Sequence, residues 1–315
     1  MKDPYKKIIS LIGGMAFALL LAEGLLRVLS VNSGFMAARE LTQFRQNPDL
    51  VDKFAIDPEL GFMPNLGTNP QYTKFGTITN AYSLMKTNHA DRLLFIGDSV
   101  TARGKIVSAL RDMYGDRDFE YWNAGVESFN TVQEVNYYLK FNHAISPNHV
   151  ILTFHMNDFE ATPVTFKSGK KLIVYAPNMP TTSINPVLFR YSMIYRLILG
   201  RTIDLHKEIE SVKADTEASL VRLHNELSAK NITFSVIVFS YLKPLSEWTA
   251  EDKLTYYEIM EILTRNEIRT FDITPVTQNS LMRGNRIQEE AGDDWHPNET
   301  ISTAIAEHLK ANRLL

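Results

Sequence analysis

Read as a pattern of apolar and polar positions, the chain changes character near residue 91. From there, short continuous apolar runs alternate with stretches of helical period. Leu93-Leu94-Phe95-Ile96 is apolar at every position, the signature of a strand buried on both faces. Residues 119–122, 150–154 and 234–239 read the same way, and 270–273 is a weaker fifth strand. Helical stretches fall between and after them, near 104–114, 130–143, 205–229, 250–266 and 298–312. This order implies right-handed crossovers and a parallel sheet covered by helices on both faces. Residues 160–204 interrupt the rhythm and are expected to form an insertion over one end of the sheet. Within it Leu188, Ile194, Leu197 and Ile198 recur at helical spacing, with Phe189, Tyr191 and Tyr195 adding aromatic bulk. That stretch reads either as a helix packed on the core or as a lid. Residues 32–90 hold the turn-rich Asp57-Pro58-Glu59-Leu60-Gly61-Phe62-Met63-Pro64-Asn65 and little periodicity, and are expected to be a spacer packed on a main domain of 91–315.

The first 31 residues are of another kind. Lys2, Lys6 and Lys7 precede an apolar run from Ile8 to Ala22, which continues past Glu23 and Arg27 to about Val31. A helix over 8–30 is long enough to cross about 30 Å of hydrocarbon. Glu23 and Arg27 stand four apart and can pair near the far interface. Lysines before the run, with no comparable cluster after it, favour a single pass with the N-terminus inside and the C-terminal domain outside the cytoplasm. The alternative is a cleaved signal peptide, with 35–38 a poor cleavage site.

Composition narrows the function. Of 315 residues 44% are hydrophobic, ample for a packed core, and 33 basic side chains stand against 36 acidic ones. A net charge of −3 carries no basic footprint, so nucleic acid is not an expected partner. The absence of cysteine excludes disulfides, thiolate metal centres and a cysteine nucleophile. No metal ligand set and no cofactor motif stands out.

Chemistry in an open parallel sheet gathers beyond the carboxyl ends of the strands, and four features fall there. Gly97-Asp98-Ser99 follows the first strand and would set a serine hydroxyl at a helix N-terminus. Asn123-Ala124-Gly125 follows the second, where a glycine can offer its backbone N–H. His155-Met156-Asn157-Asp158 ends the third, and Asn157 can donate from its side chain. Asp293-Asp294-Trp295-His296-Pro297-Asn298 precedes the last helix. A carboxylate three residues before a histidine can hold Nδ1–H and leave Nε2 free, with Asp294 a rival to Asp293. Each feature alone also reads as a turn or a helix cap. The other seven histidines lack such a setting, and most are expected at the surface.

In order and spacing these four blocks resemble those of the SGNH subfamily of GDSL esterases, over about residues 91–312. The resemblance implies a flavodoxin-like three-layer α/β/α fold with a parallel sheet. It implies Ser99 as nucleophile, His296 as general base and Asp293 as its orienter. The Ser99 N–H, Gly125 and Asn157 would be oxyanion donors. Glu23 with Arg27, the 57–62 stretch and Leu188-Phe189-Arg190-Tyr191-Ser192-Met193-Ile194-Tyr195-Arg196 are similar to membrane-anchored bacterial members. Two positions depart from the pattern. His155 stands where the third block usually has Gly, implying a narrower or more polar pocket. Arg103 occupies a frequent Gly position, with Gly104 one place late. The expected function is a serine esterase of the envelope that removes small acyl groups, such as acetyl, from a glycan. An O-acyltransferase with the same triad, a lysophospholipase, or a non-catalytic anchored binding protein are the alternatives.

Overall fold

The computed structural model describes residues 4–29, 39–40, 45, 47–78, 82–86, 89–174, 185–202 and 205–315. The segment 35–38, weighed above as a cleavage site, lies outside them. Helix α1 (Pro4–Val28) is followed by three short strands, β1 (Arg39–Glu40), β2 (Phe54–Asp57) and β3 (Gly61–Pro64). The main domain then runs β4 (Asp91–Gly97), α2 (Ser99–Ala102), α3 (Lys105–Tyr114), β5 (Phe119–Asn123), α4 (Thr131–Lys140) and β6 (His149–His155). The insertion supplies β7 (Thr165–Ser168), β8 (Lys171–Val174), α5 (Pro186–Tyr191) and α6 (Met193–Thr202). It is followed by α7 (Leu205–Ala229), β9 (Thr233–Phe239), α8 (Ala250–Arg265), β10 (Arg269–Asp272), α9 (Thr274–Met282) and α10 (Glu299–Ala311).

The five long-range strands form one parallel sheet in the order β5-β4-β6-β9-β10. Numbered along the chain this is 2-1-3-4-5, the flavodoxin-like order, whose switch point lies between β4 and β6. Alternation along each strand explains why both faces are covered. Leu94, Ile96, Val150, Leu152, Val236 and Val238 pack with Leu220, Leu223 and Ile262 of α7 and α8. Their neighbours Leu93, Phe95, Ile151, Ile237 and Phe239 face Ile106, Leu110, Ile301, Ile305 and Leu309 of α3 and α10. Burial of a side chain of this size stabilises by about 1.5–3 kcal/mol, so these two layers carry the stability of the domain.

Hairpin β2–β3 and strand β8 of the insertion pack against the loop after β5 and against α4. Hairpin β2–β3 contributes Phe54, Leu60 and Phe62 to a smaller cluster with Phe129, Tyr137, Leu172 and Val174. Strand β8 lies between β1 and β7 in a separate antiparallel sheet. Gln133 ties the hairpin down: within the capping box of α4 it also donates to the Leu60 carbonyl at 2.6 Å. The sequence pattern misses α9, because Thr274, Pro275, Val276 and Thr277 are poor helix formers. Pro275 nevertheless suits a first turn, and Asp272 Oδ1 accepts from Thr274 N–H at 2.9 Å. The helical period over 188–198 is split at Ser192, whose hydroxyl accepts from Tyr195 N–H at 3.1 Å and starts a second helix.

Candidate active site

Strand β4 passes directly into α2 at Gly97. A Cβ there would come within 2.2 Å of Thr101 Oγ1 and 3.3 Å of Thr153 Cβ, so the turn is closed to larger residues. Asp98 caps α2 by accepting from Val100 N–H at 2.8 Å, which puts Ser99 at the first helical position. The first N–H groups of a helix have no partner within it and favour negative charge beside them.

The loop before α10 brings the histidine to this point. Asn298 caps α10 through Ile301 N–H at 3.0 Å, and Glu289 N–H donates to the His296 carbonyl at 2.9 Å. His296 Nε2 then lies 2.9 Å from Ser99 Oγ, across 197 residues of sequence. Its Nδ1 lies 2.7 Å from Asp293 Oδ2. Asp293 Oδ1 also accepts from the N–H groups of Trp295 and His296, at 3.0 and 3.2 Å. Burial alone would raise the Asp293 carboxyl, but these bonds to His296 and Trp295 hold it below its usual value, so it stays ionised. The rival carboxylate is turned away: Asp294 Oδ1 accepts from Gln288 Nε2 at 3.0 Å. Arg103, one of the two departures noted above, pairs with Glu289 at 2.7 Å and stands 4.0 Å from Asp293 Oδ2.

The two expected donors differ. Asn157 lies at the end of β6 with its Oδ1 2.7 Å from His155 Nδ1. With its oxygen engaged there as acceptor, the amide N–H₂ faces the other way, free to donate. His155 is fully buried and burial depresses its pKa, so the ring is neutral. A neutral ring donating from Nδ1 has its Nε2 as acceptor. Gly125 sits against the backbone of α2: a Cβ would be 2.3 Å from Ala102 N and 2.7 Å from Thr101 C. Its N–H already donates to Asn123 Oδ1 at 2.9 Å. It can therefore serve an oxyanion only by sharing or releasing that bond.

Three features of the site carry no local sequence signal. His155 as the holder of Asn157 is one; it and His149 are buried, whereas His89 and His143 are exposed. The second is a group of buried carboxyls behind the Ser99 turn. Asp158 Oδ2 accepts from His155 N–H at 3.0 Å and from Thr131 Oγ1 at 3.2 Å. Burial, reinforced by the charges of Asp158 and Asp98, pushes the Glu134 carboxyl well above the ordinary range; burial and Asp98 do the same to Asp158. The third is the cleft. About 470 Å³ of space opens beside the site between Met156, Asn157, Tyr241 and Trp295 on one side and Ile209, Val212 and Lys213 of α7 on the other, with Glu160, Glu251 and Asp252 at its wall. The rings of Tyr241 and Trp295 meet edge to face at 5.0 Å, and His155 lies under Trp295 at 5.0 Å. Among the described residues, no group of histidine and acidic side chains could hold a metal ion.

No protein-family model matches the chain, and no curated protein matches it. Several solved structures align with it. An acetylxylan esterase from Geobacillus stearothermophilus does so with a TM-score of 0.47 and 16% identity, over 72% of this chain and 95% of that one. An α/β hydrolase enzyme from the metagenome of Lake Arreo, Spain, gives 0.46 and 14%, over 71% and 95%. A member of the lipolytic G-D-S-L family from Veillonella parvula gives 0.44 and 13%, over 70% and 97%. The strand order and the flanking helices are those of the three-layer α/β/α fold that the sequence resemblance implied.

Proposed function

We propose that the protein is a serine esterase in which Ser99, His296 and Asp293 act as a triad. The observation that carries the reading is the pair of contacts through one imidazole, 2.9 Å to Ser99 Oγ and 2.7 Å to Asp293 Oδ2. The Ser99 proton passes to His296 Nε2 as Oγ attacks the ester carbonyl. Asp293 holds the ring in the required tautomer and stabilises the imidazolium. The oxyanion would be met by the Ser99 N–H and the Asn157 amide, and by Gly125 if it leaves Asn123. The tetrahedral species collapses, the ester C–O bond breaks, and the leaving oxygen takes the proton back from His296. Water, deprotonated by the same histidine, then attacks the acyl-serine and releases the carboxylic acid.

A small acyl group on a carbohydrate suits this site best. His155 puts a buried ring, packed between Phe239 and Trp295, where the resemblance has a glycine, which favours a small acyl group beside Asn157. The cleft offers the aromatic faces of Tyr241 and Trp295 and carboxylates within reach of hydroxyls, features suited to a sugar. Hydrolysis of p-nitrophenyl acetate, compared with butyrate and octanoate esters, tests both parts. Acetate should be the best substrate, and Ser99→Ala should lose it. A preference for octanoate would refute the small-acyl reading.

The helix Tyr5–Val28, with a mean hydropathy of 2.1, is long and apolar enough to cross a membrane. On the lysine asymmetry, it anchors the protein with the catalytic domain outside the cytoplasm. A reporter fused after Leu315 should be active only if exported; a cytosolic C-terminus would overturn both the topology and an envelope substrate.

A further inference from the structure

Glu23 lies inside the apolar run of α1, where a lone carboxylate would be costly. It has partners from the insertion. Its oxygens accept from Met193 N–H at 2.8 Å, Ile194 N–H at 3.0 Å and Ser192 Oγ at 3.1 Å. Arg27, one turn along α1, donates to it at 2.9 Å and reaches on to the Tyr191 carbonyl. Met193 and Ile194 open α6, so a side chain of α1 satisfies N–H groups that no partner within α6 could. Val28 lies five residues beyond Glu23, about 7.5 Å along the helix. The joint between α5 and α6 is therefore fixed near the C-terminal end of the apolar span.

The same two helices expose Val187, Leu188, Tyr191 and Ile198, each about half exposed or more. Basic side chains run among them. The Arg190 guanidinium lies over Phe166 and Tyr191 at 5.4 and 5.0 Å, and that of Arg196 over Phe189 at 4.6 Å. Large aliphatics with tyrosine and arginine are the composition of an element lying in a membrane interface.

We propose that α5–α6 is a membrane-surface element: its exposed Val187, Leu188, Tyr191 and Ile198 enter the headgroup–acyl boundary at the C-terminal end of α1, and Glu23 is the clamp. The inference rests on α1 spanning a bilayer. The occupant follows from continuity, because the joint between the two exposed helices, Tyr191 to Ile194, is hydrogen-bonded to the end of a helix that itself lies in lipid. A consequence concerns the substrate. Thr202 and Leu205 are three residues apart, at most about 11 Å, and Ile209 of the cleft lies another 6 Å or so along α7. With about 14 Å of α6 between the clamp and Thr202, this holds the cleft within about 30 Å of the membrane surface, where a membrane-tethered acylated glycan would be presented.

The absence of native cysteine makes the test direct. Leu188→Cys, Tyr191→Cys and Ile198→Cys, with Leu19→Cys in α1 and Glu307→Cys on the exposed side of α10 as references, are each labelled with an environment-sensitive NBD fluorophore. The full chain is reconstituted in phosphatidylcholine–phosphatidylglycerol vesicles, with and without lipids carrying a doxyl quencher on the acyl chain. Positions 188, 191 and 198 should be quenched at least two-fold, like 19 and unlike 307. Glu23→Ala should return these three to the aqueous signal while 19 stays quenched. If 188, 191 and 198 behave like 307 while 19 is quenched, the inference fails and the anchor stands. If 19 is unquenched, the anchor fails and takes the inference with it. Quenching at the three positions that survives Glu23→Ala overturns the clamp.

Discussion

Replacing His155 with phenylalanine probes the part of the site that departs most from its resemblance. The substitution keeps a planar ring against Phe239 and Trp295, which lie 5.6 and 5.0 Å from the imidazole. It deletes the Nδ1 donor that holds Asn157 Oδ1 at 2.7 Å. Losing a neutral hydrogen bond of about 0.5–1.5 kcal/mol lowers the population of correctly turned Asn157 by roughly two- to thirteen-fold. The rate constant kcat should fall by that factor and KM should move little, because the donor matters when the oxyanion forms. Asn157→Ala removes the donor outright and should cost about 10²–10³. Since His155 acts through Asn157, His155→Phe should add almost nothing in the Asn157→Ala background. The assay is p-nitrophenyl acetate turnover on variants whose thermal unfolding matches the parent. Equal losses from His155→Phe with and without Asn157 would refute the reasoning, as would a His155→Phe enzyme of full activity.

Three further outcomes are expected. Asp293→Asn should reduce kcat by as much as about 10⁴ by leaving His296 in the wrong tautomer, whereas Asp294→Asn should fall within a few-fold of the parent; the reverse ranking would reassign the orienter. Burial, with the charges of Asp158 and Asp98, raises the Glu134 carboxyl well above its ordinary range, so between its unfolded and folded values the folded state binds more protons than the unfolded one, and its contribution to stability declines as pH rises through that interval. Thermal unfolding against pH should show Glu134→Gln losing less stability than the parent as pH rises above the ordinary carboxylate range; a steeper decline would contradict that sign. Gly125→Ala should lower both melting temperature and kcat, because its Cβ would meet the α2 backbone at 2.3 Å next to Ser99; an unchanged protein would show that this contact is relieved without cost.

The fold was legible because its strands are buried on both faces. An apolar run such as Leu93-Leu94-Phe95-Ile96 has few alternatives, and the cores of all five predicted strands lie within those observed. Ser99, Gly125, Asn157 and Asp293–His296 could be picked out because each stands where a sheet strand ends or the last helix begins, and the fold brings Ser99, His296 and Asp293 within hydrogen-bond distance. What the sequence hid depends on contacts with no local signature. Gly125 N–H facing Asn123 Oδ1 and His155 facing Asn157 are each two residues apart, but their geometry follows from how tightly β5 and β6 close on α2. Glu23 reaching Met193 spans 170 residues, and no periodicity in either helix announces it.

The account turns on Ser99 and His296 working as one unit. Turnover of p-nitrophenyl acetate by Ser99→Ala, His296→Ala and the double variant measures this directly. Each single loss should cost several orders of magnitude, and the double variant should be little worse than either. A folded Ser99→Ala protein with parental esterase activity, or losses that multiply independently in the double variant, would contradict it.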